Sequence, residues 1–343
     1  MELPRKVVVG SGAVAEVADV CRSLKLKGAA LIVTGPRTGQ VVGQKVAQRM
    51  EEDGFDAILH VTKSSKTEEV DVAQSLACKN ESGFLIGVGG GRSIDIAKLA
   101  SQRAGVPFLS VPTAASHDGI CSAQASLTID GETTSIPAQS PLGIVADTNI
   151  ISKAPPRLLA AGCGDIISNY TAILDWKLAQ RLRNEEYSEY AAALSEMTAR
   201  MIVETAPELK PGLEESARVV VKALISSGVA MSIAGSSRPA SGSEHKFAHS
   251  VNQISPGKAL HGELCGIGTI MMMYLHGGDW KTIREALKQV GAPTTARKME
   301  LEDDVVIEAL VNAHNIRPER YTILGFGLTR EAALKTAKIT KVI

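Results

Sequence analysis

From Lys6 to Val111 the chain alternates short apolar runs with helix-spaced segments, and this rhythm constrains the fold more than any other feature. Lys6 to Val9 precedes a helical stretch from Ala13 to Leu24, and Ala29 to Thr34 precedes one from about Thr38 to Asp53. Asp56 to Val61 is followed by Thr67 to Lys79, Gly83 to Val88 by Ser93 to Arg103, and Pro107 to Val111 adds a further strand. Ala29-Ala30-Leu31-Ile32-Val33-Thr34 shows no polar alternation, as expected of a strand buried on both faces of a parallel sheet. Strands and helices at this spacing predict right-handed crossovers and a Rossmann-like parallel sheet covered on both sides. Ligands of such a sheet bind at the carboxyl ends of its strands.

After Val111 the pattern changes. Ala125 to Ile129 and Thr133 to Ile136 read as a hairpin around a tight Asp130-Gly131-Glu132 turn, and Gly143 to Ala146 as a last strand. From Pro155 onward helical spacing dominates, in segments such as Asp165 to Arg181, Ser188 to Glu204, Ser216 to Ala234, Ser243 to Asn252 and Leu260 to Tyr274. The predicted organisation is an α/β dinucleotide-binding domain over 1–154 and an all-helical domain over 155–343, a length that allows two cores.

Charge and cysteine content exclude several functions. Lys plus Arg and Asp plus Glu both number 37, with no basic run, so the footprint of a nucleic-acid binder is missing and a small-molecule partner is expected. The five cysteines, Cys21, Cys78, Cys121, Cys163 and Cys265, are scattered and never form C-x-x-C. That predicts free thiols in a reducing cytoplasm, with neither a disulfide framework nor a cysteine-ligated zinc. The N-terminal apolar run is too short for a signal peptide, and no stretch approaches eighteen apolar residues, so no membrane insertion is expected.

Two stretches carry chemistry. Gly87-Val88-Gly89-Gly90-Gly91-Arg92-Ser93-Ile94-Asp95 ends a strand and opens a helix, where glycines let backbone amides approach a pyrophosphate and Ser93 is placed to cap. It is not a strict G-x-G-x-x-G, since Arg92 stands at the last glycine position. The second stretch, Ser241 to Glu263, gathers His245, His249 and His261. His245 and His249 are four residues apart on one helix face, a spacing that by itself reads as two metal ligands.

G-G-G-R-S-I-D together with V-P-T-A-A-S-H-D-G, residues 111–119, resembles the superfamily of iron-containing alcohol dehydrogenases, glycerol dehydrogenases and dehydroquinate synthases. Within it the chain looks most like the sn-glycerol-1-phosphate dehydrogenases of archaeal lipid synthesis, over nearly its whole length. The resemblance implies a dehydroquinate synthase-like fold with one metal ion, usually zinc, held between the domains by Asp165, His245 and His261. It places Gly91, Arg92, Ser93, Ile94, Asp95, Thr113, Ala114, Ala115, Ser116 and Ser122 on NAD(P)H-contacting positions. Asp118, Asp165 and His249 fall on substrate or catalytic positions, so His249 passes from the metal to the substrate. The implied reaction is reduction of dihydroxyacetone phosphate to sn-glycerol 1-phosphate, the backbone of archaeal ether lipids. Glycerol dehydrogenase or another polyol oxidoreductase is the alternative. A homo-oligomer is expected. Lys153, Lys246, Arg238 and Lys258 are candidates for holding the substrate phosphate, and Arg37, in an acid-free loop after the second strand, for the NADPH 2′-phosphate.

Overall fold

The computed structural model describes every residue except Asp130 and Gly131, with side chains left undescribed at Glu132 and Thr133 as well. The predicted Asp130-Gly131-Glu132 turn thus lies outside the described residues. By its internal contacts the chain divides into one unit of Met1–Pro155 with Pro211–Ser232, and another of Pro156–Lys210 with Ile233–Ile343. The expected division at 154/155 differs from this in one segment, because Pro211–Ser232 packs with the first unit although helical residues flank it on both sides.

The first unit is built on a six-stranded sheet ordered β1-β8-β5-β4-β2-β3. Its strands are β1 Lys6–Gly10, β2 Ala29–Thr34, β3 Ala57–Val61, β4 Ser82–Gly89, β5 Phe108–Pro112 and β8 Gly143–Asp147, and every pairing is parallel. The hairpin is β6 Gln124–Ile129 against β7 Glu132–Pro137, antiparallel and outside that sheet. Ala30, Leu31, Ile32 and Val33 on β2 and Phe84, Leu85, Ile86 and Val88 on β4 are all fully buried, which accounts for their unbroken apolar character. After β2 the chain crosses to β3 on one side, and after β4 to β5 on the other. The carboxyl ends of β2 and β4 therefore flank a topological switch point.

Helix Glu214–Ala234 departs from the sequence-based expectation about membranes. Its mean hydropathy over eighteen residues is 1.5, long and apolar enough to cross a bilayer, but 56% of that window is buried inside the protein. Val220, Val221 and Leu224 on it are fully buried, as in a core helix.

The second unit is helical throughout. The expected helix Asp165 to Arg181 is in fact two, Pro156–Ile167 and Asn169–Arg183, so Asp165 closes one helix where it was expected to open another. Gly164 lies inside the first of these helices, where the backbone of Gly262 approaches closely.

Candidate functional site

The glycine loop sits at the switch point. Gly89 adopts φ 151°, open only to glycine, and a Cβ there would meet Ser93 Oγ at 2.9 Å and Thr38 Oγ1 at 3.2 Å, so the loops after β4 and β2 touch. The following helix, Gly91–Ala104, starts two residues earlier than expected, with Gly90 as its N-cap in place of Ser93. No side chain caps it, which leaves its first amides directed outward with a partial positive charge, suited to a phosphate. Nothing lies within 4 Å of a Cβ built on Gly90, so this face of the loop is open. Arg92 is exposed, whereas Ser93, Ile94 and Asp95 are buried. Arg37, in the short helix Pro36–Thr38 after β2, is exposed.

Asp95 turns inward. Its carboxylate accepts from Lys98 Nζ at 3.2 Å and from the Ser126 amide at 3.1 Å, and Lys98, fully buried, also donates to the carbonyls of Gly119 (2.7 Å) and Gln124 (2.6 Å). This ammonium anchors the segment after β5 that carries Thr113, Ala114, Ala115, Ser116, Asp118 and Ser122. Within that segment the Thr113 amide donates to the Gly89 carbonyl at 2.9 Å, and Ser227 Oγ donates to Asp118 Oδ2 at 3.0 Å. A Cβ on Gly91 would lie 2.0 Å from His117 Nε2, so the loops after β4 and β5 are in contact too.

In the second unit three helices converge on one small volume. Helices Pro156–Ile167 and His261–Leu275 approach at Gly164, Gly262 and Gly266: a Cβ on Gly262 would sit 1.9 Å from the Ala161 carbonyl oxygen, and one on Gly164 2.3 Å from that of Gly262. The neighbouring residues are Asp165 and His261, whose Oδ1 and Nε2 come within 3.7 Å. Helix Ser243–Ile254 packs against the second of these at Gly268 and brings His245 Nε2 to 3.9 Å from Asp165 Oδ1. Arg157 grips Glu263 with two bonds, 2.6 and 2.7 Å, and Glu263 also accepts from the Leu260 amide at 2.8 Å, which holds the first turn bearing His261.

These atoms suit a divalent ion. Ligands about 2.0–2.2 Å from a tetrahedral zinc-like ion stand roughly 3.4 Å apart, a little closer than the gaps seen here. Glu244, fully buried, accepts from His245 Nδ1 at 2.9 Å, which leaves Nε2 with its lone pair toward Asp165. Glu244 is itself fixed by the Gly242 amide at 2.5 Å and Thr171 Oγ1 at 2.7 Å. Cys265 joins the group, since its Sγ lies 3.5 Å from His261 Nε2 and all four ligand atoms fall within 4.8 Å of one another. Cys265 was not among the residues expected at this cluster. Cys265 has no C-x-x-C partner, but it stands one helical turn beyond His261.

His249 lies on the same face as His245, with its ring 6.0 Å from that of His261. Burial, the His245 charge and the guanidiniums of Arg317 and Arg320 push its pKa down to about 3. Of the phosphate candidates in this unit, Arg238 is buried and spent on Glu185 and the Tyr321 carbonyl, and Lys258 is exposed. Lys246 is buried, and that burial brings its pKa down to about 8. Lys153 belongs to the first unit and is exposed.

A family model described as iron-containing alcohol dehydrogenase matches residues 8–155. A glycerol-1-phosphate dehydrogenase (NAD(P)+) of Methanothrix thermoacetophila is 66% identical over 343 residues, covering 100% of this chain and 97% of its own. The enzyme of the same name from Methanothermobacter thermautotrophicus is 56% identical, covering 100% and 99%. The chain belongs to the glycerol-1-phosphate dehydrogenase family. Among solved structures, a probable glycerol dehydrogenase from Sinorhizobium meliloti superposes with a TM-score of 0.82 at 21% identity, covering 100% of this chain and 99% of the other, a likeness of fold.

Sequence reading of this family member missed Lys98, Glu244, Cys265, Arg317 and Arg320. Asp95 and Lys98 at i,i+3, and Glu244 adjacent to His245, were visible signals. The two arginines lie more than fifty residues beyond the histidine stretch, and nothing local marks them.

Proposed function

We propose that this chain reduces dihydroxyacetone phosphate to sn-glycerol 1-phosphate with NADH or NADPH, using one zinc ion per subunit held by Asp165, His245 and His261. The observation that carries this is full-length 66% identity to a glycerol-1-phosphate dehydrogenase (NAD(P)+), joined to the convergence of those three side chains. When bound, the ion supplies a Lewis acid for the carbonyl oxygen and the nicotinamide supplies the hydride. The protein's own residues place the reactants. The uncapped amides at Gly91 receive the cofactor pyrophosphate, and Thr113, Ala114, Ala115, Ser116 and Ser122 line the cofactor site next to that loop. Asp118 and His249 position the substrate hydroxyl. His249, neutral at physiological pH, serves as a hydrogen-bonding group and not as an imidazolium acid. The free thiols support a cytoplasmic setting. The family's enzymatic role ties the product to membrane lipid synthesis.

The test is oxidation of NADH and of NADPH with dihydroxyacetone phosphate, set beside unphosphorylated dihydroxyacetone, with product chirality determined. Turnover of the phosphate ester to the sn-1 product is expected with both cofactors, and Arg37→Ala should raise the Michaelis constant for NADPH more than for NADH. Turnover of dihydroxyacetone alone would turn the reading toward a glycerol dehydrogenase.

A further inference from the structure

Two arginines near His249 have no acidic partner. Among the described residues the Arg317 side chain makes no hydrogen bond or ion pair, and no carboxylate lies within ion-pair distance of Arg320. Arg320 spends two of its five N–H donors, on the Ser241 carbonyl (2.7 Å) and Ser237 Oγ (2.8 Å), so three are left over. Both guanidiniums are half-buried. The backbone holds them in place at a cost: Arg317 stands at φ 47°, a region disfavoured for a residue with a Cβ, and its carbonyl accepts from the Arg320 amide at 2.9 Å, closing a turn over Pro318 and Glu319.

The nearby acids are committed elsewhere. Glu185 is taken by Arg238, and Glu244 by Gly242, Thr171 and His245. Asp175 accepts from the Ser243 amide and hydroxyl and from the Ile323 amide, and pairs with His276. Glu319 is exposed. Lys246, buried without an ion pair among the described residues, adds a further positive charge. Two half-buried guanidiniums carried on one turn, without an ion pair among the described residues, suit a doubly charged tetrahedral anion.

We propose that Arg317 and Arg320 hold the phosphate of the substrate, beside His249, and so set the preference for a phosphorylated ketone. This rests on the reading of the reaction given above. Their forks match phosphate oxygens, and an anion there neutralises charge that the fold leaves uncompensated. Among the described residues Arg317 makes no side-chain hydrogen bond or ion pair, so Arg317→Ala removes its charge without breaking such a bond of the fold. Arg320→Lys keeps the charge and removes the fork.

The experiment measures binding of inorganic phosphate by calorimetry to the metal-loaded and metal-stripped protein, and the ratio of kcat/KM for dihydroxyacetone phosphate to that for dihydroxyacetone. Phosphate affinity and the specificity ratio should each fall about ten- to a hundredfold in Arg317→Ala and Arg320→Lys, as for loss of one charge-assisted bond. Phosphate should still bind once metal is removed. Phosphate binding that requires the metal and is unaffected by either variant overturns the assignment. If phosphate binding depends on the arginines but wild type does not turn over dihydroxyacetone phosphate, the subsite stands and the proposed reaction fails.

Discussion

His245 and His249 share a helix face and a spacing of four, and their surroundings separate them. His245 is oriented by the carboxylate of Glu244 and faces Asp165, while His249 lies near two guanidiniums, which disfavour a cation beside it. His249→Ala is expected to keep a full complement of metal while losing at least about tenfold in turnover or substrate affinity, the scale of one lost hydrogen bond. His245→Ala should lose both metal and activity. Metal analysis of the purified variants decides, and a metal-free His249→Ala protein would reverse the two roles. Lys98 is the other instructive residue. Its ammonium is fully buried against Asp95 and two carbonyls, so Lys98→Met leaves the Asp95 carboxylate without its charged partner. Chemical unfolding should show a loss of about 3–5 kcal/mol, as for a broken buried ion pair, with weaker cofactor binding in whatever folds. Stability within 1 kcal/mol of wild type, roughly the size of a surface effect, would remove its anchoring role.

At the scale of elements, the candidate metal cluster is a product of helix approach. Asp165 and His261 meet because Gly164, Gly262 and Gly266 let two helix backbones come nearer than any side chain allows. Gly262→Ala puts a methyl group 1.9 Å from a carbonyl oxygen and must push the helices apart. The expected result is about 1–3 kcal/mol of destabilisation from overpacking, accompanied by weaker metal binding in a competition titration. Unaltered metal affinity would show that the ligand geometry does not depend on this contact. The same glycines explain where element reading failed. Strand and helix existence was legible from apolar period, with Thr67–Lys79 read to the residue and most other ends within two. Asp165 was expected to open a helix, but the helix Pro156–Ile167 runs through Gly164 to reach it, because a glycine that permits close packing and one that breaks a helix look alike until the partner helix is known. Ser93 was misplaced as a cap for a related reason, since the glycine loop enters helical phase two residues earlier.

At the scale of the whole molecule, burial governs the thiols. Cys78 is exposed and the other four cysteines are buried, so a mild thiol reagent should label one cysteine in the native protein and five after unfolding. Burial raises Cys21, Cys121 and Cys163 from 9.0 to about 12. Between those values the unfolded chain releases the three protons while the folded chain holds them, so stability falls as pH rises from about 9 toward 12. Urea midpoints across that range check this, and Cys21→Ser with Cys121→Ser should flatten the slope. More than one thiol labelled in the native state would contradict the packing described. The sequence by itself determined the α/β unit and the helical unit, because apolar periodicity is local, and resemblance to a family named Asp165, His245 and His261 as candidates. Only the tertiary structure decided that Pro211–Ser232 joins the first unit and that Glu244 and Cys265 stand at the candidate metal cluster. It alone brought Arg317 and Arg320 to His249, since which distant residues meet is set by the packing of whole helices, information no single stretch of chain contains.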